Sequence, residues 1–155
     1  MGRLVSSALG APFVDLDEVI EGRAGKSVAQ LFAEDGEPAF RTLEADEGGA
    51  VLRGPPCVVA PGGGFFVSDV TRAMARGSGL VVYLETDPAE AAARLGGAAG
   101  RPLLEGGPIR ERIAALLKER ATLYRQSECT VATDGRSASE VAGAVLSLAR
   151  DRAGW

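Results

Sequence analysis

Pro12-Phe13-Val14-Asp15-Leu16-Asp17 is a short apolar run that closes on two carboxylates. Residues 12–15 read as a strand, and the ends of strands are where parallel sheets place their ligand sites. Two carboxylates two residues apart on extended backbone point the same way, so Asp15 and Asp17 would face one cleft. There, one can hold a metal-bound water while the other orients or deprotonates a hydroxyl, as phosphoryl transfer to an alcohol requires. The plainer reading makes Asp17 the cap of a helix running to about residue 23, and Asp15 a solvated strand end.

Outward from this stretch, short apolar runs alternate with capped helical patterns. Residues 1–10 read as a helix ending at Gly10. Ser27-Val28-Ala29-Gln30 has capping-box spacing, and a longer helix is expected from about residue 38 to 52, stopped by Pro55-Pro56. Residues 57–60 read as a strand that turns at Gly62-Gly63-Gly64. Ser68 or Asp69 then caps a helix to about residue 76, and 79–84 is the next strand. Asp87-Pro88 caps a helix through residue 95. The stripe Ile109, Ile113, Leu116 and Leu117 marks another helix. Residues 128–132 form the last strand, and Ser137-Ala138-Ser139-Glu140 is a second capping box. This alternation predicts an α/β fold on a parallel sheet. Residues 96–108 are too Gly-rich for a helix and read as a mobile lid loop. A single domain over 1–155 is expected, with a frayed tail at 151–155.

Composition narrows the function. The net charge of −4 argues against a nucleic-acid partner, which needs a basic face. No apolar run reaches membrane-span length, and residues 1–10 lack the long hydrophobic region of a signal peptide. Cys57 and Cys129 sit in apolar runs and read as free thiols of a reducing, cytoplasmic compartment. The sequence has no His, so a His base or His metal ligand is ruled out.

Several further residues can carry chemistry. Arg120 lies four residues after Leu116 and seven after Ile113, on the apolar stripe of its helix. A guanidinium there must reach solvent or meet an anion, either a ligand carboxylate or an internal acid. Arg41 stands three residues before Glu44, which permits an ordinary surface pair. The triple glycine suits close approach of a ligand to backbone, or simply a tight turn. Arg101 in the Gly-rich loop can swing onto a transferring phosphate, or remain a solvated loop arginine.

Taken together and in order, these residues resemble the shikimate kinase family over nearly the whole chain. Asp15-Leu16-Asp17 is similar to that family's acceptor carboxylates, and Gly36-Glu37-Pro38-Ala39-Phe40-Arg41 to its Gly-Glu-x-x-Phe-Arg element. Gly62-Gly63-Gly64, the lid Arg101-Pro102-Leu103-Leu104, and Arg120-Ala121-Thr122-Leu123-Tyr124 complete the set. The resemblance implies a P-loop kinase-like three-layer sandwich that phosphorylates the 3-hydroxyl of shikimate with ATP and Mg2+, as a monomer. It implies that Asp17 is the base and contacts the shikimate hydroxyls, and that Asp15 meets the magnesium through water. Arg41 and Arg120 would hold the shikimate carboxylate, and Gly63 would contact shikimate. Arg101 would contact the ATP phosphates, and Arg94 and Arg136 the adenine side. Thr122 and Ala138 stand where the family has prolines.

The family's G-x-x-G-x-G-K-[ST] loop does not occur in residues 1–155, and Met1 takes the place of the aliphatic residue that follows that loop in the family. The resemblance therefore implies that the first, central strand and the P-loop are missing, with a start about 17 residues late. The expectation that follows is little kinase activity from these residues alone. Two other readings stand beside it: a degenerate paralogue that binds a shikimate-like acid or a partner protein, and a kinase for another small molecule.

Overall fold

The computed structural model describes residues 1–96, 101–104 and 106–155. Helix α1, Gly2–Leu9, ends where expected: Gly10 adopts the left-handed conformation (φ 65°), and its N–H returns to the carbonyls of Ser6 and Ser7. Strand β1, Phe13–Asp15, follows and pairs in parallel with β2, Val58–Ala60, in the register Asp15↔Ala60.

Between them lie three helices. Helix α2 spans Leu16–Ala24, α3 Val28–Glu34 and α4 Gly36–Leu52. Both expected capping boxes form. Ser27 and Gln30 close the start of α3, and Ser137 and Glu140 that of α9, Ala138–Ala153. The α2 cap differs from expectation. Asp15, not Asp17, accepts from the backbone N–H two residues on, because the helix begins directly at Leu16. Asp17 therefore sits in the first turn of α2 rather than on extended chain.

After β2 comes one helical turn, α5, Gly62–Phe65, then α6, Asp69–Ser78. Strand β3, Val82–Glu85, pairs in parallel with β4, Cys129–Ala132, and between them run α7, Pro88–Leu95, and α8, Ile109–Tyr124. The parallel pairing and the right number of strands match the sequence reading. The pairing is two by two, β1–β2 and β3–β4, and no ladder joins the pairs among the described residues. Helix α1 packs on β1, β2 and α9, and α9 packs on β4.

Of the expected lid at 96–108, residues 97–100 and 105 lie outside the described residues. Pro102–Leu104 form a 3-10 turn with Leu104 buried, and Arg112 Nη2 donates to the Leu103 carbonyl (3.2 Å). Residues 151–153 remain helical, where a frayed tail was expected. Gly154 caps α9 in the left-handed region, and Arg152 Nη1 reaches the Glu128 carbonyl (3.5 Å) and the Cys129 sulfur (3.4 Å). Both cysteines are free, Cys129 buried and Cys57 half-buried.

The core that supports the site consists of Leu16, Ile20, Leu31, Phe40 and Phe65. Phe65 directly follows the triple glycine and packs where α4 carries Gly48, whose missing Cβ would overlap the ring. The glycine turn is thus anchored against α4, which also carries Arg41.

Candidate functional site

The carboxyl end of the β1–β2 pair opens into a cavity of about 320 Å³. Asp17, Arg41, Glu44, Gly62, Gly63, Gly64, Arg101 and Arg120 line it, with an apolar wall that includes Phe32, Phe40 and Leu116. Five residues singled out from the sequence, Asp17, Arg41, Gly63, Arg101 and Arg120, therefore meet in one place, although they come from five separate segments.

Asp17 lines the cavity from the first turn of α2. Partial burial raises its carboxyl above the ordinary range, and the nearby charges of Asp15 and Glu21 raise it further; Arg41 and Arg101 oppose them. Asp15 lies behind it, with Oδ1 accepting from the Asp17 N–H (3.1 Å). Its second oxygen is not used in that cap. Among the described residues no three acidic or thiol side chains gather closely enough to hold a metal ion.

Arg41 does not make the simple surface pair that its spacing suggested. Its Nη2 meets Glu37 Oε1 (2.9 Å), and its Nη1 meets Glu44 Oε2 (2.7 Å). Glu44 is only 4% exposed. Burial works against the guanidinium's charge, yet Glu44 and Glu37 together hold it charged above its usual range. For Glu44 burial wins and pushes the carboxyl up, though Arg41 pulls it back. Glu44 was not among the expected site residues. Its signal lay in the spacing Phe40, Glu44, Gly48, a buried row one helical turn apart along α4. A Cβ at Gly64 would overlap the Arg41 guanidinium, so this glycine is needed for the close approach.

Arg120 is half-buried on α8 and forms no ion pair among the described residues, since Glu37 and Glu44 are taken by Arg41. Its charge faces the cavity, near enough to Glu44 to act on that carboxylate but with no acid bonded to it among the described residues. Arg101 is exposed at the rim and likewise lacks a bonded acid among the described residues. Arg94 and Arg136 are not part of this cavity. They lie beyond the ends of β3 and β4. Arg94 donates to the Thr133 hydroxyl (2.9 Å) and carbonyl (2.7 Å) and pairs with Glu90; Arg136 donates to the Ala132 and Glu140 carbonyls (both 3.0 Å). Asp134, between them, accepts from the Asp87 N–H and the Thr86 hydroxyl, which hold it below the usual carboxylate range.

Gly25-Lys26-Ser27 shares the last three residues of a phosphate-loop motif but plays another part. It joins α2 to α3 with no strand before it, Lys26 pairs with Glu34 (2.8 Å) and Asp35 (3.1 Å), and Ser27 caps α3.

The family model described as Shikimate kinase matches residues 1–150. The chain belongs to the shikimate kinase family. It is 45% identical over 143 residues to the shikimate kinase of Thermobifida fusca, covering 92% of this chain and 82% of that protein. With the shikimate kinase of Rhodococcus jostii it shares 39% over 142 residues, 91% of this chain and 84% of the relative. A solved structure described as shikimate kinase from Acinetobacter baumannii in complex with shikimate superposes at TM-score 0.93, with 31% identity, covering 97% of this chain and 84% of that one. Shikimate kinase from Aquifex aeolicus superposes at 0.81, with 29% identity, covering 98% and 89%. The fold is accordingly the α/β fold of the P-loop kinases, and the family's chemistry is that of a phosphotransferase. No helix among the described residues is long and apolar enough to cross a membrane.

Proposed function

We propose that this protein transfers the terminal phosphate of ATP to the 3-hydroxyl of shikimate, giving shikimate 3-phosphate for aromatic amino acid synthesis, as a cytoplasmic monomer of one domain. The observation that carries this is the cavity itself. One apolar wall faces a carboxylate, Asp17, and a half-buried arginine, Arg120, that no acid bonds directly among the described residues. A small acid with several hydroxyls fits that chemistry, and the A. baumannii structure in complex with shikimate supports this identity for it.

On this reading Arg120 takes the carboxylate through a charge-assisted pair, and Arg41 presents the edge of its guanidinium left free by Glu37 and Glu44. Gly63 lets the substrate lie against backbone. Asp17 accepts the proton as the hydroxyl oxygen bonds to phosphorus and the bond to ADP breaks; its raised carboxyl makes it a better base than an ordinary aspartate. Arg101 meets the transferring phosphate. Arg94 and Arg136 serve the adenine side, which accounts for their place beyond β4. Magnesium bound with the nucleotide would neutralise phosphate charge, and Asp15 would hold it through water.

Most of the triphosphate cradle of a P-loop kinase comes from a loop whose motif residues 1–155 do not contain. A polypeptide of these residues alone should therefore bind shikimate yet turn over slowly or not at all. Calorimetric titration with shikimate is the deciding test, followed by ADP release with Mg-ATP. Saturable shikimate binding supports the reading. Indifference to shikimate would sink it, whereas fast turnover by residues 1–155 would sink only the expectation about activity.

A further inference from the structure

Tyr124 has a place in the fold that the reaction does not yet use. It lies one turn after Arg120 on α8, so both side chains leave the same face of that helix. Its hydroxyl donates to the Gly63 carbonyl (2.8 Å), and its ring lies 5.2 Å from that of Tyr83 on β3. Gly63 lies in the first half of the glycine turn after β2, and Tyr83 belongs to the other strand pair. The two pairs share no ladder among the described residues, so this side chain links a wall of the cavity to the opposite side of the fold. The contact is close. A Cβ on Gly63 would come within 3.1 Å of the phenol oxygen.

From the other side the glycine turn is held by α6. The Thr71 hydroxyl donates to the Phe65 carbonyl, and Arg72 Nη1 donates to the carbonyls of Phe66 (3.3 Å) and Val67 (3.1 Å). These bonds fix the far end of the turn. Its near end, at Gly63, has the Tyr124 phenol. Rotation or sliding of α8 would move Arg120 and would also stretch the bond to Gly63. The Tyr124–Gly63 hydrogen bond therefore ties one wall of the cavity to the other.

We infer that Tyr124 is a positioning residue: its tie to Gly63 fixes the separation between Arg120 and the glycine turn, and so sets affinity for the carboxylate-bearing acceptor. The inference rests on the proposed function for the identity of that acceptor. A net hydrogen bond of this kind corresponds to about a two- to tenfold change in an equilibrium constant. Tyr124→Phe should therefore weaken shikimate binding by about that factor while leaving the thermal transition close to that of the parent. Because the effect runs through Arg120, Tyr124→Phe should add little further loss in an Arg120→Ala background. A purely structural role would add its loss in full. Gly63→Ala, which presses on the phenol oxygen, should weaken binding in the parent and do so less in Tyr124→Phe.

The test is calorimetric titration of the parent, both single variants and the double variant with shikimate, paired with amide hydrogen exchange across residues 62–67. Non-additive losses with faster exchange in Tyr124→Phe establish the tether and its role. Parent-like affinity in Tyr124→Phe, or losses that add in full, overturn the inference while leaving the functional reading intact. If the parent itself ignores shikimate, the functional reading falls, and with it the role assigned to Tyr124; exchange in Tyr124→Phe then reports only whether the tether exists.

Discussion

Arg120 and Asp17 are the two residues whose surroundings make quantitative claims possible. Arg120 carries a charge into a half-buried cavity with no protein acid bonded to it among the described residues. A charge-assisted pair to a ligand carboxylate contributes roughly 1.5–3 kcal/mol, so Arg120→Ala should weaken shikimate binding about ten- to a hundredfold. Affinity for ATP should change far less, and titration with each ligand in turn checks this. Asp17 is a case of function set against stability. Its carboxyl is raised in the folded protein, so the charged form is less favourable there than in the unfolded chain. The neutral acid carries no such cost below the ordinary value of 3.8, and the cost sets in as pH rises from there through the folded value. Asp17→Asn should accordingly raise the thermal midpoint at neutral pH, with the stability gain fading as pH falls toward 3.8, and should remove whatever turnover the parent shows. A gain that persisted at low pH would show that the asparagine stabilises by some route other than removal of charge.

Element by element, what could be read from the sequence was what local chemistry dictates. The capping boxes at Ser27 and Ser137, the Asp87-Pro88 helix start and the stop at Gly10 are decided by neighbours within four residues, and all formed as expected. The errors came from contacts made at longer range. Glu44 looked like half of a surface pair because its spacing to Arg41 is local, but burial depends on what α4 packs against. The cap of α2 moved to Asp15 because β1 stops there, a limit set by its partner β2. Likewise the gathering of Asp17, Arg41, Gly63, Arg101 and Arg120 into one cavity was legible only by resemblance, since no spacing rule joins five segments. Gly48 shows packing outweighing propensity. Alanine is the better helix former by about 1 kcal/mol, yet a Cβ at Gly48 would overlap the Phe65 ring. Overpacking of that kind costs about 1–3 kcal/mol. Gly48→Ala should thus destabilise the protein by up to about 2 kcal/mol in chemical denaturation, and by displacing Phe65 should also loosen the glycine turn. A stabilised Gly48→Ala would mean that the ring relocates freely.

Across the whole molecule, two parallel strand pairs are joined by side chains and helices rather than by a shared ladder. The acceptor side carries the larger buried residues: Leu16, Ile20, Leu31, Phe40 and Phe65. On the β4–α9 side the buried residues are smaller: Cys129, Val131, Val141, Ala142 and Ala149. Struts among the described residues span the two sides. Tyr124 reaches Gly63. Arg76 on α6 meets Glu128 (2.9 Å), whose other oxygen accepts from the Val81 N–H (3.1 Å). Helix α1 lies against β1, β2 and α9, with Val5 buried at 3% exposure and Arg3 over the Phe13 ring. Of these, α1 is a whole helix packed on elements of both sides, so its buried Val5 should matter more than its size suggests. Removing most of a buried valine costs about 1–3 kcal/mol. That cost should fall on the junction rather than on either core. In the parent, the slowest amides on the two sides should open with a common free energy. In Val5→Ala they should separate, with β3, β4 and α9 exchanging sooner than α2 and α4, because smaller side chains bury less area per residue. Hydrogen exchange followed by mass spectrometry resolves the two groups. Continued exchange of both sides at one shared free energy would mean that Tyr124 and the α6 ion pair suffice to hold the molecule as a single cooperative unit.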